Sequence, residues 1–301
     1  MSILSVGEIL WDVFGEAEFL GGAPLNFSAA AQRLGNSVIL VSGVGQDARG
    51  ARALQSMTAL GLATDFVQIA PGRDTGTAQV TTDALGNARY FIQRPAAFDD
   101  LALDEALLST LDGLHPDWMY FGTLAQTNLA NENLVGQLVQ RLTGIRCFYD
   151  MNLREGHWNL ALVQRLSALA SVVKLNEEEA ETLFKLTGGT EGFTLERFCR
   201  YWSATYAVDT ICVTLGSQGC AIFQQDALAL FKGFSVKVAD TVGAGDAFAA
   251  AFLHGNIEHW QIARQACFAN ALGALVASRA GATPAWKVEE CLQLIAARGT
   301  T

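Results

Sequence analysis

Residues 146–186 read RCFYDMNLREGHWNLALVQRLSALASVVKLNEEEAETLFKL, alternating short apolar runs with amphipathic stretches. The runs over residues 146–152 and 171–176 are typical of strands that are buried on both faces. Residues 160–169 and 177–186 carry the apolar spacing of helices. Two strand–helix units in succession predict parallel strands joined by helical crossovers.

The same alternation extends in both directions along the chain. Further strands are predicted over residues 37–44, 116–122 and 210–216, and further helices over residues 47–60, 129–142 and 195–205. No low-complexity linker divides the 301 residues. We therefore predict one α/β domain over residues 1–301, built on a doubly wound, mostly parallel sheet flanked by helices.

Composition excludes several classes of protein. Half of the residues are hydrophobic and 17% are charged, which is too apolar for a disordered chain. The 30 acidic residues outnumber the 20 Lys and Arg residues, and this net charge of −10 argues against a broad nucleic-acid or anionic-membrane surface. No basic residue precedes Arg33, no apolar stretch has the length of a membrane span, and the six cysteines form no CxxC pair. We expect a cytoplasmic protein with reduced thiols.

One region interrupts the strand–helix alternation. The segments TAQVTTD and ARYFIQR flank residues 84–87, ALGN, and this pattern predicts a β-hairpin with no helix between its strands. Short strands around Asp12–Phe14 and Glu18–Leu20 could pair with the hairpin. We expect a small β lid formed by about residues 12–22 and 76–99.

The segment Val238–Phe252, VADTVGAGDAFAAAF, predicts a glycine turn between a strand over residues 234–238 and a helix beginning near Asp246. Backbone N–H groups of residues 242–245 at a helix N-terminus form an anion site that needs no cationic side chain. A carboxylate beside such a site suits phosphoryl transfer, in which it takes the proton of the acceptor hydroxyl. Alternatively, Asp246 complements the helix dipole and the glycines only make a turn.

A second glycine loop keeps another chemistry open. Residues 43–48, GVGQDA, fit the G-x-G-x-x-G/A pattern of dinucleotide-binding proteins, and Asp65 follows about 20 residues on. An NAD-dependent dehydrogenase is therefore an alternative. The ribose-binding acid belongs at the carboxyl end of the next strand, however, whereas Asp65 begins the run DFVQI.

Polar side chains follow other predicted strands. Asn176 and Glu179 have the spacing of a helix capping box, and the same Glu could orient waters on Mg²⁺. Asn152 and Arg154 follow the strand that ends near residue 150. Arg154 could bind phosphate or substrate, or form a surface ion pair.

The loop before residue 27 suits a different ligand. Gly22 allows close backbone approach and Asn26 carries both a donor and an acceptor. Asp12 follows the first strand and can face the same point. Polyol recognition needs such paired groups, although each residue alone is also an ordinary turn or cap residue.

Together these motifs resemble a known family. DTVGAGDAF, GGAPLNFSAAAQRLG, KLNEEEAETL and TLGSQGC resemble the motifs of the ribokinase-like (PfkB) carbohydrate kinases, in order and across essentially the whole chain. GEILWDVF, LGGAP, YFIQRPAAFD and DMNLREGHW are most similar to the fructokinase-like branch.

The resemblance implies a role for each matching position. Asp246 would be the general base, and the amides of Gly243, Ala244 and Gly245 would hold the γ-phosphoryl group. Asn176 and Glu179 would position Mg·ATP, with Glu179 acting through metal-bound water. The remaining implied contacts are Thr214, Gly216, Gly219, Asn270 and Ala274 with the nucleotide, Asp12, Gly22, Asn26, Arg94 and Arg154 with the sugar, and Asp240 with a monovalent cation such as K⁺.

The implied activity is that of an ATP- and Mg²⁺-dependent sugar kinase, with fructose as the first candidate and a possible homodimer formed through the lid. GGAPLN differs from the GGKGAN of ribokinases, which argues against ribose. Kinases for 2-keto-3-deoxygluconate, ribose or tagatose remain alternatives, as do the dehydrogenase and a non-catalytic sugar sensor.

Overall fold

The computed structural model describes residues 2–82, 88–189 and 192–298. The strands are β1 Ser2–Val6, β2 Leu10–Phe14, β3 Ala17–Gly21, β4 Ser37–Gly45, β5 Val67–Ala70, β6 Gly76–Thr82, β7 Ala88–Ile92, β8 Trp118–Gly122, β9 Arg146–Asp150, β10 Val172–Asn176, β11 Thr210–Thr214, β12 Gly219–Gln224 and β13 Ala227–Lys232. The helices are α1 Ala23–Arg33, α2 Ala48–Ala59, α3 Glu105–Leu114, α4 Leu129–Arg141, α5 Leu160–Ser167, α6 Glu177–Leu186, α7 Leu195–Tyr206, α8 Ala244–Ile257, α9 Ile262–Ala277 and α10 Val288–Arg298.

The main sheet has nine strands in the order β13-β12-β11-β10-β9-β8-β1-β4-β5. The seven strands from β11 to β5 run parallel, whereas β12 and β13 form an antiparallel hairpin at one edge. The predicted α/β fold with a mostly parallel sheet is confirmed. Its strands are apolar runs because helices cover both faces of the sheet.

Successive side chains of the central strands alternate between two hydrophobic cores. Ile3 and Tyr120 pack into the core formed with α1, α2, α8, α9 and α10. Leu4 and Phe121 pack on the opposite face, in the core formed with α3 to α7. This period of two follows from the pleat of a strand, and it shows that the sheet is doubly wound.

A second sheet has four strands in the order β3-β2-β6-β7. β2 pairs antiparallel with β3 and parallel with β6, and β6 pairs antiparallel with β7. The strands predicted on either side of residues 84–87 are therefore paired, and the early strands join them. The turn itself, at residues 83–87, lies outside the described residues.

The expectation for residues 234–238 was wrong. These residues are not a strand: the edge strand of the main sheet is β13, which ends at Lys232, and residues 233–238 belong to no strand. The chain then runs as an irregular segment to α8, which begins at Ala244 and has Asp246 in its first turn, as predicted.

The parallel strands end together at one edge of the main sheet. Glu8 follows β1, Asp150 ends β9, Asn176 ends β10 and Thr214 ends β11. The carboxyl edge of a parallel sheet is where α/β proteins bind ligands. No helix among the described residues combines the length and the apolar character that crossing a bilayer requires.

Candidate active site

The glycine turn before α8 is held in one conformation. Gly243 caps the helix with φ 78°, and a Cβ atom there would lie 2.1 Å from the carbonyl oxygen of Ala282. Only glycine fits this left-handed backbone against that neighbour. The close contact fixes the turn relative to the chain that follows α9.

The backbone N–H groups of this turn differ in their partners. The N–H of Val242 donates to Asp240 Oδ1 at 3.0 Å, and that of Ala244 donates to the Thr241 carbonyl at 3.3 Å. Within the described residues, the N–H groups of Gly243, Gly245 and Asp246 have no acceptor. The available donors at this helix N-terminus are therefore those three, so Val242 and Ala244 leave the predicted set and Asp246 joins it.

Asp246 lies in the first turn of α8 and is only 9% exposed. Its Oδ2 accepts a hydrogen bond of 2.9 Å from Asn26 Nδ2, which orients the carboxylate. Burial and the neighbouring Asp150 raise its pKa to about 6, while Lys174, Asn26 and Arg154 oppose the increase. The group is therefore mostly ionised at neutral pH and has the basicity that a general base needs.

A polar cavity opens in front of Asp246. The second sheet contributes Asp12 to its wall, and burial, together with Asp246 and Asp240, raises the pKa of Asp12 to about 6 against the opposing charge of Arg154. The cavity is lined by Glu8, Leu10, Asp12, Gly22, Ala23, Asn26, Ala78, Ile92, Leu124, Asn152, Arg154, Lys174, Thr241, Val242, Gly243, Gly245 and Asp246. Carboxylate and amide groups on several sides of one small cavity suit a ligand with many hydroxyl groups.

Glu8 is a cavity residue that the sequence did not reveal. It is 4% exposed, and its Oε2 has no hydrogen-bond partner among the described residues. Burial raises its pKa to about 7, with backbone N–H groups and Arg154 opposing and Asp246 reinforcing the increase. Glu8 lies in the segment GEILWDVF that carries the family resemblance, but the resemblance assigned no role to it, so its place in the cavity was not predicted.

Lys174 and Asp150 form a buried ion pair that was also missed. Lys174 Nζ lies 2.8 Å from both carboxylate oxygens of Asp150, and the Tyr120 hydroxyl donates to Asp150 Oδ2 at 3.1 Å. Burial raises the pKa of Tyr120 well above its ordinary value, so the hydroxyl stays protonated. The pair places a cationic side chain at the cavity wall. The sequence predicts an anion site formed by backbone N–H groups without a cationic side chain.

An apolar cavity lies on the other side of the glycine turn. All five residues predicted to contact the nucleotide line it. The lining residues are Thr214, Gly216, Ser217, Gly219, Gly233, Phe234, Ser235, Val236, Val238, Thr241, Ala244, Gly245, Phe248, Asn270, Gly273, Ala274 and Ala277. Thr241 and Gly245 line both cavities, so the turn separates a polar compartment from an apolar one.

Asn176 and Glu179 form the predicted capping box at the start of α6. Asn176 Oδ1 accepts from the Glu179 N–H, and Glu179 Oε2 accepts from the Asn176 N–H, both at 2.8 Å. Glu179 Oε1 accepts from the Leu153 N–H at 2.6 Å. Burial raises the pKa of Glu179 against these bonds and the Lys174 charge. Neither residue lines the two cavities, although Asn176 is in register with Thr214 of the nucleotide cavity.

The two arginines predicted near the sugar are placed differently. Arg154 lines the polar cavity from its exposed side. Arg94 instead lines a separate cleft with His157 and Trp158. Its guanidinium pairs with Asp99 and donates to the Leu124 carbonyl at 2.9 Å, so the structure does not bring it to Asp246.

Asp240 joins two loops beside the turn. Its carboxylate accepts from the N–H groups of Val242 at 3.0 Å and Gly281 at 3.1 Å. Each oxygen keeps a further lone pair, so the residue can still contribute to a cation site. Gly281 and Ala282 brace this turn and do not line the apolar cavity.

The second glycine loop, residues 43–48, packs against neighbouring backbone and leaves no space there for a ligand phosphate. A Cβ atom on Gly43 would lie 2.3 Å from the Ala97 carbonyl oxygen, and Asp47 caps α2 by accepting from the Gly50 N–H at 2.7 Å. Asp65 precedes β5 rather than following it. These glycines allow close chain packing, so the geometry does not support the dinucleotide hypothesis.

The chain is similar to known proteins over most of its length. Residues 8–288 match the model of the pfkB family carbohydrate kinases. A fructokinase of Escherichia coli is 30% identical over 78% of this chain and 76% of that protein.

Solved structures share the fold over nearly the whole chain. A fructokinase of Xylella fastidiosa with bound ATP has a TM-score of 0.86 and 23% identity, covering 99% of each chain. A double-mutant fructokinase of Vibrio cholerae O395, bound to fructose, ADP and potassium ion, has a TM-score of 0.83 and 25% identity, covering 98% of each chain.

Proposed function

Because the chain belongs to the pfkB family of carbohydrate kinases, we propose that it transfers the γ-phosphate of ATP to a hydroxyl group of fructose. The observation that carries the proposal is the position of Asp246. It lies where a polar cavity and an apolar cavity meet across one helix N-terminus. A hydroxyl-rich acceptor fits the first cavity, and a nucleotide base and ribose fit the second.

The chemistry follows from the groups around that junction. Asp246 accepts the proton of the sugar hydroxyl as the sugar oxygen forms its bond to the γ-phosphorus. The bond from that phosphorus to the bridging oxygen breaks, and ADP leaves with the electron pair. The N–H groups of Gly243, Gly245 and Asp246 hold the oxygens of the transferring group, whose charge is spread in the transition state.

Asn26 prepares the base for this step. Its amide donates to one oxygen of Asp246, and this leaves the other oxygen for the sugar hydroxyl. Asn26 Oδ1 is buried and has no partner among the described residues, so it can accept from a second hydroxyl. The Asn26 side chain would then position both the sugar and its base.

Magnesium would enter with the nucleotide. Among the residues that the structure describes, no group of three or more His, Cys, Asp or Glu side chains is arranged to hold a metal. Mg²⁺ commonly binds substrate phosphates and keeps several waters. Glu179, whose oxygens retain lone pairs beyond their two backbone bonds, would orient such a water, and the metal would neutralise phosphate charge.

Two observations favour fructose over the other sugars. The E. coli relative is named a fructokinase, and the V. cholerae structure contains fructose, ADP and potassium ion. The polar cavity is lined by three carboxyl groups, those of Glu8, Asp12 and Asp246, which disfavour a sugar acid. A requirement for K⁺ beside Asp240 is a further part of the proposal.

The test is ADP release from ATP in a coupled assay over fructose, ribose, tagatose, 2-keto-3-deoxygluconate and nucleosides, with and without K⁺. We expect the highest kcat/KM for fructose, and no ADP release without Mg²⁺. Higher kcat/KM for 2-keto-3-deoxygluconate would reject the assignment of fructose. Thermal stabilisation by NAD but not by ATP would reject the kinase itself.

A further inference from the structure

We infer that Lys174 is a catalytic residue whose ammonium group contacts the transferring phosphoryl group at the base of the Gly243–Gly245 turn. The inference rests on the proposed kinase function and adds a cationic residue to that site. Asp150 is then a positioning residue that holds the ammonium in place.

The ammonium is fixed by neighbouring strands. Lys174 of β10 and Asp150 of β9 are in register, and Nζ lies 2.8 Å from both oxygens of Asp150. Tyr120 of β8 donates to the same carboxylate at 3.1 Å. Three adjacent strands of a rigid sheet therefore determine the position of one charge.

That position is next to the proposed phosphate site. A Cβ atom on Gly245 would lie 3.4 Å from Lys174 Nζ, so the ammonium lies directly against the turn. Lys174 lines the polar cavity together with Gly245 and Asp246. Asp150 uses two of the three ammonium protons, and the third has no acceptor among the described residues.

The negative charge around the polar cavity explains why a cationic side chain is needed there. The polar cavity is lined by three carboxyl groups, and an incoming triphosphate adds further negative charge. Without Lys174, this negative field would be met only by backbone N–H groups and by Arg154 on the exposed side of the cavity, whereas a buried cation acts there with little screening. A buried ion pair is weak evidence for stability, since apolar residues of similar volume often serve as well. Its location beside the turn is therefore better explained by catalysis.

The experiment separates a catalytic role from a structural one by removing both charges. Lys174→Met alone would leave Asp150 buried without a partner, so the informative variant combines Lys174→Met with Asp150→Asn. We expect this double variant to fold, to bind fructose and ADP within about threefold of the wild type, and to lose kcat by roughly 100- to 1000-fold. Binding of ADP with aluminium fluoride and fructose, a transition-state mimic, should weaken by a similar factor in calorimetry.

A matched control removes an ion pair far from the site. Arg165 of α5 pairs with Glu132 of α4, and the combined Arg165→Met and Glu132→Gln variant should keep the wild-type kcat. A stable Lys174→Met/Asp150→Asn variant with kcat within threefold of the wild type would overturn the inference. Wild-type protein that releases no ADP with any sugar would instead refute the proposed function.

A second variant applies if the double variant does not fold. Lys174→Arg keeps the charge and the pair with Asp150 but displaces the charged head group. We expect kcat to fall at least tenfold with the KM for fructose nearly unchanged, because the contact is made mainly in the transition state. An undiminished kcat for Lys174→Arg would contradict the inference.

Discussion

Asp246 combines burial, an oriented carboxylate and a pKa of about 6 at the N-terminus of α8. Replacing it with asparagine keeps the shape of the side chain and removes its capacity to accept a proton. We expect Asp246→Asn to lower kcat by roughly 10²- to 10⁴-fold, since this is the range that general bases contribute. Calorimetry should show ATP and fructose binding within about threefold of the wild type. Turnover close to that of the wild type would contradict the proposed mechanism.

The buried Glu8 makes the unfolding free energy of the protein depend on pH. Burial raises its pKa to about 7, so the folded protein binds that proton more tightly than the unfolded chain. Stability from this group is complete at low pH and is lost as pH rises through 7, by about 2 kcal/mol between about pH 5.5 and 7.5. We expect Glu8→Gln to abolish that part of the pH dependence, measured by urea unfolding at both pH values. An identical pH dependence in wild type and variant would contradict the assignment.

The strands and helices that local periodicity determines could be predicted from the sequence. Strands such as β8 and β10 were found because both of their faces are apolar, and the capping box at Asn176 was found because it spans three residues. The strand expected at residues 234–238 was wrong because apolar residues there line a cavity wall, where Phe234 is buried outside the sheet.

Contacts that depend on strand order were not predictable. Lys174 meets Asp150 only because β10 and β9 are neighbours in register, and no motif specifies that arrangement. Arg94 was expected at the sugar, but Asp99 and the Leu124 carbonyl hold its guanidinium in another cleft. The family resemblance identified the motif residues of the two cavities. The charged side chains of Glu8, Lys174 and Asp150 became apparent only in the folded structure, where Lys174 and Asp150 shift the pKa of Asp246.

The turn into α8 is held by Gly243, which lies against the chain that follows α9. Gly243→Ala would place a methyl group 2.1 Å from the Ala282 carbonyl on a backbone with φ 78°, so the turn must move. We expect a loss of about 1–3 kcal/mol in unfolding free energy and at least tenfold weaker ATP binding in calorimetry. The matched control is Gly136→Ala in α4, where no neighbour lies within 4 Å. That change should add up to about 1 kcal/mol of stability and leave ATP binding unchanged, and equal effects of both variants would refute the role of the turn.

At the scale of the whole molecule, the net charge of −10 does not conflict with nucleotide binding. The proposed phosphate site uses backbone N–H groups at one helix N-terminus and Lys174, and the Mg²⁺ that accompanies ATP would neutralise further phosphate charge. Composition argues only against a broad basic surface, which this chemistry does not use.

The second sheet contributes Asp12, Ala78 and Ile92 to the polar cavity and is expected to act as its lid. Phe14 and Phe19 lie on the same face of this sheet as Asp12, beyond the cavity. Phe14 follows Asp12 by two residues along β2, and Phe19 of β3 is paired directly with Asp12. They are 41% and 50% exposed, and their rings pack edge to face. An exposed apolar pair beside the site suits a second copy of the chain.

We expect the combined Phe14→Ser and Phe19→Ser variant to be monomeric under conditions where the wild type is dimeric in light scattering. The KM for fructose should rise about tenfold while the KM for ATP stays unchanged, because only the sugar cavity is bordered by this sheet. Phe91→Ser is the matched control, since Phe91 is 69% exposed on the opposite face of the same sheet. A wild type that stays monomeric at every concentration, or a Phe91→Ser variant with the same defects, would contradict the proposed dimer.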